Sequence, residues 1–429
     1  MTGKMLSSWA IGSWSLLLAL GCCTACASRG APGAFAPPAP EGRASGQPSG
    51  PSGQPPAGPA ASPGFRELVD RARRQFALPA LAAALVRGGE IAEQDVEGVR
   101  EAGREERASL GDAFHIGSCV KPMTADLVAE LVEQGKLAWD RRLADLLPDL
   151  AAAMRPEYRA VTVAQLLSHH AGIQPYTDID EAELHRLAAL PGSPTEQRRA
   201  FVAEALRAPP VAPAGAEQHY SNAGYVIAGY LAERAAGVPW ESLLRSRLLD
   251  PLGMSTCHLG PPAAPGRAGQ PRGHHAGDQG LVVEPLGGDG IPPAFAPAGD
   301  LSCSIADLAR FAAFHLAGLQ GKSTLLSRAT VLRLHTPVEG GRTGSGLGWG
   351  INDSQFGGLV SGILGSAGAF TALLLVSPEK GLAVAVATNV GEDGPGRPGV
   401  IAAAKLIFER ESAPPARSPA TTAARTRLD

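Results

Sequence analysis

At 429 residues, with 44% apolar and 18% charged residues, the chain is long enough to bury the core of one large domain or two. A formal net charge of −3, without a long basic run, argues against nucleic acid as a partner. Cys22, Cys23 and Cys26 cluster near the N-terminus, and Cys119, Cys257 and Cys303 are spread through the body. An odd number at wide spacing is no disulfide framework, so the body cysteines read as small buried apolar residues.

The N-terminus runs from Lys4 through an apolar stretch, Trp9 to Leu20, into LALGCCTACAS. This is the layout of a secretory signal over residues 1–26, and it is short for a membrane span. Ala19-Leu20-Gly21-Cys22 resembles the lipobox of a bacterial lipoprotein. Two readings stand: a lipid anchor on the membrane, or an ordinary cleaved signal with incidental cysteines. Either exports the chain to the periplasm or cell envelope. Residues 27–64 are Pro, Gly, Ala, Ser and Gln with Phe35 as the one large apolar side chain, too little to offset ordering entropy, so they read as a disordered linker. The tail, residues 412–429, reads the same way.

The body opens with helical spacing over Phe65–Phe76, stopped by Pro79. Two strand-like runs follow, joined by Arg87-Gly88-Gly89-Glu90 as a hairpin. The stretch from Phe114 to Trp139 is the most informative. From Gly117 its apolar residues recur at three and four (Val120, Met123, Leu127, Val128, Leu131, Val132), predicting an amphipathic helix that ends near Gly135. Ser118 then lies in the first turn and Lys121 one turn further on the same face. A serine hydroxyl must lose its proton to a neighbour as it attacks, and a lysine accepts that proton only if burial or positive charge lowers its pKa. On these four residues alone a capping serine and a solvated lysine is the better reading, and partners elsewhere must decide.

Asp140–Leu150 predicts a second short helix, and Val161–Ile173 one capped by Thr162 and closed by Gly172. His169 and His170 are adjacent, so their side chains diverge; no other ligand spacing accompanies them, and they read as helix-end histidines bonded to backbone rather than as a metal site. Tyr220-Ser221-Asn222 forms a turn before a helix over Ala223–Ala236. A tyrosine held near Lys121 could relay a proton, and Asn222 could bond both the lysine and a substrate oxygen. In isolation the pair reads as a buried aromatic and a turn asparagine. His274 and His275 fall in a Pro/Gly-rich stretch, Gly260–Gly299, which is either a lid or a disordered insert. Near the C-terminus, GLVSGIL, AFTALLLVS and GLAVAVATN predict strands, and Pro398–Arg410 a closing helix.

Taken together, GSCVK, LLSHHAGI, HYSNAGYVIAGYLAERAAG, PLGMS, PAGDLSCSIADLARF and GLGWGI, in that order, resemble the serine β-lactamase-related hydrolases. That group includes class C β-lactamases, D-alanyl-D-alanine peptidases and several esterases. The resemblance spans Phe65 to about Glu411. It implies an α/β fold in which an antiparallel sheet flanked by helices is built from the chain's two ends (about 65–115 and 300–411). A mostly helical subdomain (about 116–299) is inserted between, and the cleft falls between the two parts. It implies Ser118 as the acylated nucleophile, Lys121 as its base or proton partner, Tyr220 as general acid/base and Asn222 as a positioning amide. The family's third motif, Lys or His, any residue, then Gly, aligns with Ile363, Leu364 and Gly365. The side chain that in relatives helps bind a substrate carboxylate and lowers the lysine pKa is therefore absent. Gly365 is kept, and Ser366 N–H can pair with Ser118 N–H as an oxyanion hole. Val120 also departs from the Thr or Ser that relatives often carry there.

The resulting expectation is a serine hydrolase that acts through an acyl-enzyme on an ester or amide, shifted from β-lactams and D-Ala-D-Ala peptides towards neutral substrates. The alternative is an envelope binding protein that keeps the fold without efficient turnover. No cofactor or metal is expected, since the sequence carries neither a Gly-rich phosphate loop nor a clustered ligand set.

Overall fold

The computed structural model describes residues 61–412, apart from 178, 268, 287–289, 323–324 and 355–357. The signal segment, the lipobox, most of the linker and the tail from residue 413 lie outside the described residues.

Helix α1 (Pro63–Gln75) starts with Ser62 as its cap, its Oγ accepting the Phe65 N–H. It leads into β1 (Ala80–Arg87) and β2 (Glu90–Gly98), joined by Gly88 and Gly89 at φ 61° and 98°. Both conformations favour glycine, which is why the Gly-Gly pair marks this hairpin. The remaining strands, in chain order, are β3 (Ala113–His115), β4 (His274–Gly277), β5 (Gly280–Val283), β6 (Ser302–Ser304), β7 (Gly344–Ser345), β8 (Gly350–Ser354), β9 (Gly358–Ser366), β10 (Thr371–Ser377) and β11 (Leu382–Thr388).

A seven-stranded sheet runs β2-β1-β11-β10-β9-β8-β7, antiparallel at each pairing. The two ends of the chain meet where β1 pairs with β11 from Leu81↔Thr388 to Arg87↔Leu382. Along β1 the period of two sorts side chains between two cores. Leu81, Ala83 and Leu85 face the cluster built by α1 and the C-terminal helix, which runs Gly396–Ser412; Ala82, Ala84 and Val86 face the larger cluster shared with the inserted helices. A sheet covered on both faces explains why β10 and β11 read as unbroken apolar runs rather than alternating ones.

Several local expectations are refined. The helix that carries Ser118 begins as a 3₁₀ turn, Gly117–Cys119, and continues as α2 (Val120–Glu133). Asp140–Leu150 forms two one-turn helices, Leu143–Leu146 and Pro148–Ala151, because Pro148 pushes Leu147 out of the helical region to φ −124°, ψ 57°. Thr162 does cap α3 (Val163–Leu167), through a capping box with Gln165, but the helix stops before Gly172 because His169 takes φ 64°. α4 (Asn222–Ala236) ends at Gly237 in the left-handed region. Within Gly260–Gly299, β4 and β5 pair as a hairpin, so the stretch carries its own secondary structure.

One expectation is overturned. Cys257 and Cys303 are joined by a disulfide, and Cys119 alone of the body cysteines is free and buried. The cause is tertiary: reciprocal His258–Ser302 backbone bonds of 2.9 and 2.8 Å lay the two segments side by side, and a sequence separation of 46 hides that contact. Closing a loop of this length is worth roughly 3–4 kcal/mol in the chain-entropy model. Cys303→Ser, or reduction under native conditions, is therefore expected to lower the melting temperature by several degrees; a calorimetric scan with and without reductant measures it, and an unchanged melt would mean the two sulfurs are not bonded.

Candidate active site

The turn that carries Ser118 is shaped by two glycines. A Cβ on Gly117, at φ 49°, would sit 2.3 Å from Ser366 O, and one on Gly365 would sit 2.0 Å from Ile116 O and 2.9 Å from Ser118 N. The end of β9 thus lies directly on the backbone of the Ser118 turn, an approach open only to residues without side chains. Ser366 follows on the cleft surface. Ala367 N–H is donated to Phe370 O at 3.2 Å, closing the β9–β10 hairpin. The neighbouring Ser366–Thr371 pair is then a non-hydrogen-bonded one in the antiparallel alternation, and the Ser366 N–H points away from β10.

One helical turn after Ser118, the Lys121 Nζ lies 2.9 Å from Ser118 Oγ, 2.8 Å from Asn222 Oδ1 and 2.7 Å from Ala298 O. The Tyr220 hydroxyl donates to Ser118 Oγ at 2.7 Å. The four side chains singled out in the sequence therefore meet at one point, although Tyr220 and Asn222 stand more than a hundred residues from Ser118 and Lys121 respectively. Asn222 is held by its own bonds: its Nδ2 donates to Tyr176 O at 2.9 Å and its backbone N–H to Pro175 O at 2.8 Å. One N–H of the amide is thereby committed to the protein.

Burial governs the electrostatics. Lys121 is inaccessible to solvent, and desolvation pulls its pKa down to about 7. The cation missing at Ile363 is thus not needed to lower it. Desolvation also raises the Tyr220 phenol above its usual range, against the opposing hydrogen bond with Ser118. His169, kept neutral by burial and by the nearby lysine, packs tilted against the Tyr220 ring with centroids 4.2 Å apart and accepts the Ser221 N–H on Nδ1 at 3.1 Å. His170 places Nδ1 2.9 Å from Ser168 O. Both histidines are bonded to backbone, as their position at a helix end suggested.

The cleft in front of Ser118 encloses about 350 Å³. Asn222, Ser366, Tyr176, Ile291 and Phe295 are among its walls, and the 260–299 segment supplies much of one side. Ile363, 7% exposed, belongs to the apolar core and is not a wall of this cleft. Two participants escaped the sequence reading. The Ala298 carbonyl is a backbone group and leaves no sequence signal. His115 is a wall of the cleft and stands three residues before Ser118, inside the stretch already singled out. Among the described residues, no group of His, Cys, Asp or Glu could hold a metal ion.

A serine, a desolvated lysine and a tyrosine in one cleft between an antiparallel sheet and an inserted helical part define a penicillin-binding or β-lactamase type of protein. The chain belongs to the β-lactamase family, whose profile, described as Beta-lactamase, matches residues 65–407. It is 31% identical over 338 residues to penicillin-binding protein 4 of Amycolatopsis lactamdurans, covering 76% of this chain and 85% of that protein. It is 32% identical over 244 residues to the esterase EstB of Burkholderia gladioli, covering 53% of this chain and 60% of that one. Its fold matches the octameric penicillin-binding protein homologue from Pyrococcus abyssi with a TM-score of 0.65 at 24% identity, over 81% of this chain and 77% of the other.

The glycine contacts give a direct test. Gly365→Ala drives a methyl group into the Ile116 carbonyl and is expected to destabilise by about 1–3 kcal/mol. Ser366→Ala, one residue on, leaves the backbone donor intact and should melt with the parent chain. Equal melting of the two variants would contradict the close approach of β9 to the Ser118 turn.

Proposed function

We propose that the protein is a serine hydrolase that forms an acyl-enzyme on Ser118 with neutral ester or amide substrates. The observation that carries this reading is the single hydroxyl of Ser118 lying within hydrogen-bond reach of both Lys121 and Tyr220. With the amine neutral, its two N–H groups are taken by Asn222 Oδ1 and Ala298 O, and its lone pair is left for the Ser118 proton. Ser118 meanwhile accepts from Tyr220. The chain of donors runs from phenol to hydroxyl to amine, which is the direction attack requires.

Ser118 Oγ attacks the carbonyl carbon while its proton passes to Lys121, giving an ammonium whose three N–H groups all have acceptors. The N–H groups of Ser118 and Ser366 receive the negative charge that develops on the substrate oxygen. The Tyr220 phenol, protonated at neutral pH, gives its proton to the leaving oxygen or nitrogen as that bond breaks, and the ammonium of Lys121 re-protonates the phenol through the vacated site. Water then repeats the sequence on the acyl-enzyme and frees the acid. Ile363, where the family pattern has Lys or His, supports neutral substrates over carboxylates; Arg272, His275 and Glu284 are charged walls of the cleft, with His275 paired to Glu284 and Arg272 donating to Glu284 O. The esterase relative supports the same class, and the Cys257–Cys303 disulfide supports export to an oxidising compartment.

A fluorophosphonate probe is expected to label Ser118 in the parent chain and not in Ser118→Ala. If the probe leaves Ser118 unlabelled and p-nitrophenyl esters are not cleaved, the hydrolase reading fails and the binding-protein alternative takes its place. Because Lys121 acts as a base only when neutral, acylation should rise about tenfold per pH unit below about 7 and level off above it. A rate that falls as pH rises through 7 would reverse the assigned role. Tyr220→Phe should lower kcat about 10²- to 10⁴-fold while the protein remains folded.

A further inference from the structure

We propose that His115 and Asp300 are positioning residues that set the backbone of the Ser118 turn and tie it to the cleft wall closed by the disulfide; this rests on Ser118 being the nucleophile. His115 is 4% exposed and Asp300 8%. The Gly117 N–H is donated to His115 Nδ1 at 3.2 Å, so that nitrogen carries a lone pair and the ring proton resides on Nε2. Nε2 faces Asp300 Oδ1 at 3.2 Å, and the same oxygen accepts the Gly260 N–H at 3.0 Å. A carboxylate thus selects the imidazole tautomer, and the tautomer selects the bond to Gly117.

Gly117 is the place where such a brace matters. It adopts φ 49° and lacks a side chain to restrict it, and the next peptide carries the Ser118 N–H assigned to the oxyanion hole. The strand pairing of β3 with β6 and the bond from Ile116 N–H to Leu301 O (2.9 Å) hold the chain up to Ile116, and the Cys119 N–H holds the carbonyl of the next peptide, Ile116 O, at 3.1 Å. His115 takes the N–H of that same peptide. The other end of the link reaches the wall: Gly260 opens the 260–299 segment, and its carbonyl accepts from Ser302 Oγ at 2.7 Å, beside Cys303. Both nitrogens of His115 are occupied by protein partners, so it acts through the backbone and not on the substrate.

The test compares single-turnover acylation of the full chain by p-nitrophenyl butyrate in three variants. His115→Phe keeps the ring and removes both nitrogens; the acylation rate should fall about 10- to 100-fold with substrate affinity nearly unchanged. His115→Asn offers an acceptor where Nδ1 was and should recover most of the rate, whereas His115→Gln, whose amide lies too far out, should not. The Asn and Gln pair decides the matter should the Phe variant fail to melt cooperatively. Independently of turnover, the imidazole ¹⁵N spectrum of the unaltered chain should show His115 protonated on Nε2 alone. Parent-like acylation in a folded Phe variant, Asn no faster than Gln, or a proton on Nδ1 would each overturn the proposal. An unaltered chain that acylates nowhere would instead end the hydrolase reading, and the imidazole spectrum would still decide whether the Asp300–His115–Gly117 link exists.

Discussion

The structure depends on the burial of one amine. Lys121 has no contact with solvent, yet each of its three possible donors has an acceptor, and the three acceptors come from the same helix, from the start of α4 and from the turn at Ala298. A buried amine without partners costs several kcal/mol, so these elements must be held together closely enough to supply them. The sequence provides for this around the lysine. Thr124, one turn further along α2, donates to Pro297 O at 2.7 Å, and Gly229 on α4 leaves the space that Pro297 fills, since a Cβ there would meet the proline ring at 2.5 Å. The same desolvation that demands these partners lowers the pKa of the amine to about 7.

The sheet contributes the other half of the site through close backbone approach. Seven strands tie the two ends of the chain into one plate, and the end of its β9 strand rests on the Gly117–Ser118 backbone. Side-chain chemistry therefore comes from the helical insertion and from the turn of Ser118, while the end of β9 adds a backbone group. What that strand gives to the turn is close contact and an N–H, neither of which depends on the side chain at 363. Ile363 itself packs into the core.

The facing wall of the cleft is organised by the segment between the two disulfide-bonded cysteines. Its hairpin, its turn at Ala298 and its bond from Gly260 to Asp300 are anchored at both ends by Cys257–Cys303. The described part of this long Pro- and Gly-rich stretch thus carries a hairpin and lines the cleft.

Some of this was legible in the linear chain because its signals are local. The amphipathic spacing around Ser118 and Lys121, the Gly-Gly hairpin, the Thr162 cap and the family motifs each lie within a few residues, so helix, turn and candidate nucleophile could be read directly. Other features required the fold. The Cys257–Cys303 bond depends on two segments 46 residues apart becoming neighbours, and the Ala298 carbonyl has no side chain to announce it. The lysine pKa follows from how completely other elements exclude water, and the role of Ile363 from which core it enters. By itself the sequence determined which chemical groups the protein owns and which of them share one helical face. Tertiary packing alone decided which distant groups meet, because contact and desolvation are properties of neighbours in space, which a linear order of residues does not contain.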